Sequence, residues 1–124
     1  LLAAGEARQL IAERREKLAR ACESEGREPI PLSLMTGCAI GRDPDEARER
    51  IRRRLGRAGQ NVDPDEYKAS RGEAAILGTI DEAAERLAAF EEAGVERVML
   101  QHIDHTDLEM VELIGRELTP AVAA

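Results

Sequence analysis

Apolar residues recur at helical spacing, lapse, and then run together, and this alternation predicts the elements of the chain. Ala7, Leu10, Ile11, Leu18, Ala21 and Cys22, with Arg14 among them, share one helical stripe, so a helix is expected over 7–25, ending near Gly26. Pro29 and Pro31 break the backbone ladder, and Leu32-Ser-Leu-Met-Thr-Gly-Cys-Ala-Ile40 then reads as a strand with little exposed polarity. Asp43 stands at the cap, Pro44 at the first helical position and Glu46 three residues after the cap of a second helix over 44–57. Its apolar stripe, Ala47, Ile51, Leu55 and Ala58, is narrow, which predicts a helix resting lightly on the body. The patterns lapse from Gly59 to Gly78, with a turn at Asp63-Pro64-Asp65 and a short helix near Glu66 to Ser70. Thr79 and Glu82 have capping-box spacing, and Ala83, Leu87, Phe90 and Ala93 form the stripe of a helix over 80–93 that Gly94 closes. Val95, Val98, Met99, Leu100 and Ile103 make a second strand over 95–101. Thr106 and Glu109 repeat the capping-box spacing, and Leu108, Val111, Ile114 and Leu118 predict a last helix over 107–118, stopped by Pro120.

A helix, a buried strand and another helix make a β/α unit, so the fold class expected is α/β, with two parallel neighbouring strands covered on both faces. Ligands of such folds meet the carboxyl ends of the strands. The polar stretch Gln101, His102, Asp104 and His105 is therefore where the chain would touch chemistry.

Composition narrows the classes. The 124 residues supply one domain or part of one, and a core with one Phe, one Tyr and no Trp must be built from Leu, Ile, Val and Ala. The net charge of -7, with eleven acids against three arginines from Asp81 onward, argues against a nucleic-acid binder. Between Arg42 and Arg57 seven arginines meet four acids, interleaved on a helical pattern; this reads as a solvated face in preference to an anion-binding surface. Cys22 and Cys38 have no metal-ligand spacing and are too few for a disulfide framework, so buried thiols are expected. No apolar run reaches the roughly 18 residues of a membrane span, and Leu1 to Ala7 lacks the basic start of a signal peptide, so no membrane contact and a cytoplasmic location are expected.

Self-sufficient catalytic motifs are missing: there is no Gly-x-Gly-x-x-Gly, Walker loop, Gly-x-Ser-x-Gly or paired Cys motif. His102, Asp104 and His105 have ligand chemistry, but on an extended strand His102 and His105 face opposite ways, and no metal is expected. His102 is the candidate proton carrier, with Asp104 or Asp107 to orient it. A loop-holding role for it stays open.

Three segments carry a resemblance. They are Gly78-Thr-Ile-Asp-Glu-Ala-Ala-Glu-Arg-Leu87, Glu92-Ala-Gly-Val-Glu-Arg-Val-Met-Leu-Gln101 and Asp107-Leu-Glu-Met-Val-Glu-Leu-Ile-Gly-Arg-Glu-Leu-Thr-Pro120. Together they look like the carboxyl-terminal part of the bacterial-luciferase-like oxidoreductases, especially the branch using the deazaflavin F420. Cys22 to Pro29, Ser33 to Gly37 and Gly41-Arg-Asp43 match the segment that precedes this ending.

The resemblance implies a partial (β/α)8 barrel. Residues 1–124 would be its carboxyl-terminal fragment, with 32–40 as the seventh strand, 95–101 as the eighth and 42–78 as an excursion between them. A whole barrel needs about 250 residues, so the cofactor, F420 or FMN, and a small organic substrate would be held by the complete protein, with no tight binding by the fragment. Thr36, Cys38, Gln101 and His102 are the pocket-rim candidates, because they sit at the strand ends. Each also has a structural alternative: satisfying backbone groups for Thr36 and Gln101, the core for Cys38 and holding the loop for His102. The competing expectation is a non-catalytic α/β interaction domain that self-associates, since two strands leave sheet edges in need of cover.

Overall fold

A computed structural model describes residues 6–123. The opening Leu1 to Gly5, part of the stretch read for a leader pattern, and Ala124 lie outside the described residues. Three strands, β1 (Ser33–Gly41), β2 (Ile76–Thr79) and β3 (Arg97–Gln101), form one parallel sheet in the order β2-β1-β3. Around it stand α1 (Glu6–Ser24), α2 (Pro44–Arg57), α3 (Pro64–Arg71), α4 (Ile80–Glu92), α5 (Leu108–Leu113) and α6 (Thr119–Ala123).

The two expected strands are parallel neighbours, with Met35 level with Met99 and Gly37 level with Gln101. The stretch read as patternless holds a third strand. β2 pairs with β1 only along 38–41, whereas β3 pairs along 33–37. The long β1 is thus shared by two short strands, one on each edge and each at a different height.

Helix starts follow the caps the sequence offers. The Asp43 side chain accepts from Glu46 N–H, Asp63 accepts from Asp65 and Glu66, and Thr79 and Glu82 form a reciprocal capping box. Gly94, at φ 107°, closes α4: its N–H donates to Glu91 O while Val95 N–H donates to Phe90 O. This turn takes Val95 out of the strand, which begins two residues later than expected.

Three expectations are corrected. The last helix is capped by Asp107, which accepts from Met110 N–H, and not by Thr106; the Thr106 hydroxyl is occupied in donating to Asp104. Pro120 does not stop the helix, because the preceding residues 114–118 form a π turn in which Thr119 N–H reaches Ile114 O. The widened turn makes room for a ring that would clash with the fourth carbonyl back in a regular helix, and the chain continues as α6. Finally, α2 does not rest lightly: Ala47, Ile51 and Leu55 are buried, and Ile51 and Leu55 pack with Ala39, Ala75 and Leu77.

The sheet divides two cores. On one face Cys38, Ile40, Ile76 and Val95 pack with Ile11, Phe90, Met110 and Leu118 from the helices. On the other, α2 covers the carboxyl-terminal half of β1, while the amino-terminal half is open. Met35 is 62% and Met99 42% exposed there, so the expectation of a sheet covered on both faces fails along this layer.

Candidate functional site

The carboxyl ends of β1 and β3 lie under α2, and what gathers there is an arginine cluster. Arg50, Arg53, Arg54 and Arg57 recur at i, i+3, i+4 and i+7, so one face of α2 presents all four to the loop after β3. Arg50 Nε donates to Asp107 Oδ2 at 2.8 Å, and Arg53 Nη2 reaches the same oxygen at 3.2 Å. Arg57 Nη2 pairs with Asp104 Oδ1 at 3.2 Å and also meets the Thr106 hydroxyl. Arg50 Nη1 closes the cluster by donating to the Ile40 carbonyl and to Glu46. The solvated-face reading of these arginines is therefore corrected: they hold the β3–α5 loop. Their spacing and the pair Asp104 and Asp107, three residues apart, were the available signal.

Electrostatics follow from this packing. Burial alone would raise the Asp107 carboxyl, but the hydrogen bond and charge of Arg50, with help from Met110 N–H and Arg53, hold it below the usual carboxylate range. Asp104 is lowered first by the Thr106 hydroxyl, against some burial, and then by Arg57 and Arg53. Burial pushes the Cys38 thiol up to about 11, with the nearby Arg54 charge acting the other way.

The four rim candidates separate. Thr36 Oγ1 donates to the Ala74 carbonyl at 2.9 Å, so it ties β1 to the segment entering β2. Cys38 is buried, with its sulfur 3.7 Å from the Gln101 carbonyl, and Cys22 is buried too, as expected for both thiols. His102 Nε2 lies 3.0 Å from the Asp107 carbonyl; since that oxygen can only accept, Nε2 carries the proton. Gln101 is exposed. The structure thus brings Cys38, His102, Asp104 and Asp107 together around Arg50 and Arg54, and leaves Thr36 outside that group. His105 is exposed. Among the described residues no group of three His, Cys, Asp or Glu side chains is placed to share a metal ion.

This cluster is filled. Its residual crevice measures about 10 Å³, room for about one water and no more. The residues present therefore do not by themselves fit a flavin or deazaflavin ring. A much larger cleft, about 570 Å³, lies elsewhere, along β3, where Leu87, Val98, Leu100, Ile114 and Leu118 leave an apolar crevice between α4 and the carboxyl-terminal helices. Among the described residues no helix is long and apolar enough to cross a membrane.

No protein-family profile and no curated protein matches the chain. Among solved structures, the crystal structure of the monooxygenase RslO1 from Streptomyces bottropensis matches with a TM-score of 0.70 at 18% sequence identity. The match covers 97% of this chain and 40% of that one. At this identity the likeness is one of fold. It shows an α/β arrangement, a small parallel sheet with flanking helices, and the chain spans less than half the length of the protein it matches.

Proposed function

We propose that residues 1–124 are the carboxyl-terminal part of a luciferase-like (β/α)8 oxidoreductase, with β1 as its seventh strand, β3 as its eighth and 42–78 as the excursion between them. The observation that carries this is the sharing of β1. Its 33–37 half pairs with β3 on one edge, and β2 occupies the opposite edge only along 38–41. The remaining edge of β1 and the outer edge of β3 are unpaired among the described residues. These are the positions the sixth and first strands of a closed barrel would take. The likeness to RslO1, which takes in almost all of this chain but 40% of that protein, supports the same reading.

In this reading the complete protein is an oxidoreductase or monooxygenase using F420 or FMN on a small organic substrate. The cofactor is held mainly by strands not contained in residues 1–124. Gln101 is the rim residue on the open face, whereas Thr36, Cys38 and His102 are spent on internal contacts and position the strand ends. The chain alone turns over neither cofactor, because a reaction needs its groups held together in an enclosing pocket. Translating the gene upstream of Leu1 tests the assignment: six preceding β/α units are expected, and a start signal immediately before Leu1 would overturn it.

The second reading is a self-associating interaction domain, favoured by the open layer of Met35 and Met99 beside unpaired strand edges. Stoichiometric micromolar binding of F420 or FMN by residues 1–124, followed by absorbance and calorimetric titration, would remove this reading together with the inactive-fragment assignment.

A further inference from the structure

Of the seven arginines between Arg42 and Arg57, six have a carboxylate within ion-pair distance. Arg54 has none among the described residues. Its Nη1 donates to the Gln101 main-chain carbonyl at 3.3 Å, and its guanidinium lies over Gly37, where an added Cβ would collide with it. Glycine at 37 therefore lets the arginine rest flat on the strand. Gly37 and Gln101 are level in the sheet, so Arg54 bridges the middle of β1 and the carboxyl end of β3 and shares a face with the exposed Gln101 side chain. One layer down the same face, about 6.6 Å along the strands, lie Met35 and Met99, level with each other and exposed.

We propose that Arg54 is an anion-recognition residue, binding the oxyanion of an organic ligand whose apolar body lies over Met35 and Met99, with the Gln101 amide beside it. A cation with no carboxylate partner among the described residues, seated on a glycine and sharing its face with an open apolar layer, has the parts such recognition needs: two N–H groups in a plane, and a thioether floor that adapts to a ring or short chain. The inference rests on the barrel reading for its claim that this face lines a pocket. There it assigns the substrate class, an apolar molecule bearing a carboxylate or phosphate. The neighbouring arginines do not compete for this role, since Asp104, Asp107 and Glu46 already neutralise them.

The test is a residue-resolved NMR titration of the 1–124 chain with benzoate, phenyl phosphate and the neutral benzamide, each to about 10 mM, where weak binding of about millimolar Kd is measurable. Benzoate or phenyl phosphate should shift the Arg54 Nε–H, the Gln101 side-chain amide and the Met35 and Met99 methyls, and benzamide should not. The stronger of the two anions identifies the oxyanion. Arg54→Gln should weaken the response at least about tenfold, as loss of a charged hydrogen bond does, and Arg54→Lys should restore part of it. Gly37→Ala keeps the charge but displaces the guanidinium, so it should also weaken binding while leaving the spectrum folded. Equal responses to benzamide and benzoate, an unchanged response in folded Arg54→Gln or Gly37→Ala, or no shift at these groups would overturn the proposal. The barrel reading fails separately: six upstream units with a silent Arg54 would sink the anion site alone, and a responsive Arg54 in a chain that starts at Leu1 would sink the barrel alone.

Discussion

Arg50 reaches from α2 into the turn after β3 and donates through Nε to Asp107 Oδ2 at 2.8 Å, with the two side chains 3% and 6% exposed. The contact ties two segments 57 residues apart in sequence and fixes the loop that carries His102. A buried pair of this kind sets geometry more than it adds net stability, but leaving one charge without its partner is costly.

Either single substitution, Arg50→Met or Asp107→Asn, should therefore destabilise the chain by about 3–5 kcal/mol. Asn is chosen at 107 because it retains the capping oxygen for Met110 N–H. The double variant should cost clearly less than the sum, since neither group is then stranded. Urea unfolding of the four proteins measures the coupling, and single costs that add to within about 0.5 kcal/mol would remove the proposed dependence.

Acid should act on the same cluster. Asp104 and Asp107 have folded-state values lowered from 3.8 and Glu46 from 4.5, so each binds protons less readily folded than unfolded. The sign follows: their stabilisation is fully present above the unfolded values and is lost as pH falls through the lower folded ones. The urea midpoint should hold from neutrality to about pH 5 and fall below about pH 4. In Asp107→Asn that acid loss should be smaller, and a profile identical to the unsubstituted chain would assign the transition to other carboxylates.

Thiol chemistry should report burial. Cys22 and Cys38 are 3% and 2% exposed, and burial raises Cys38 to about 11, so almost none of that thiol is thiolate at neutral pH. An aromatic disulfide reagent should label neither residue in the folded chain and both in denaturant. Fast labelling of Cys38 under native conditions would place it on an open rim, contrary to its position in the core with Ile40, Ile76 and Phe90.

Much of the fold was legible because its punctuation is chemical. Asp43 before Pro44, Thr79 with Glu82, and Gly94 after Phe90 each satisfy end groups that any helix must satisfy, whatever packs around it. β2 escaped because four residues are too few to show a period, and Gly78-Thr79 is at once the strand's end and the next helix's cap. The cluster escaped for another reason. Arg50, Arg53 and Arg57 look like a solvated face until their acids arrive from residue 104 onward, and charge pairing across that separation has no local signature. Thr106 likewise had the right spacing for a cap, but its hydroxyl was drawn to Asp104.

The open layer of the sheet carries the last expectation. Met35 and Met99 face outward beside the unpaired edge of β3, and fully burying a methionine contributes about 1.5–3 kcal/mol. Two such residues from each of two copies oppose an association cost of about 4–15 kcal/mol, so any dimer should be weak, micromolar or above. Sedimentation velocity over a hundredfold concentration range, from about 1 µM, should show the average mass rising with concentration. Met35→Glu with Met99→Lys places opposite charges level across the two strands, which are compatible neighbours within one copy but costly to bury against another. That variant should sediment as a monomer while its urea midpoint stays close to the original, because both positions are exposed. If the unsubstituted chain is a monomer throughout and unfolds cooperatively at high temperature, the open layer is not an adhesive surface, and 118 described residues close a sufficient core by themselves.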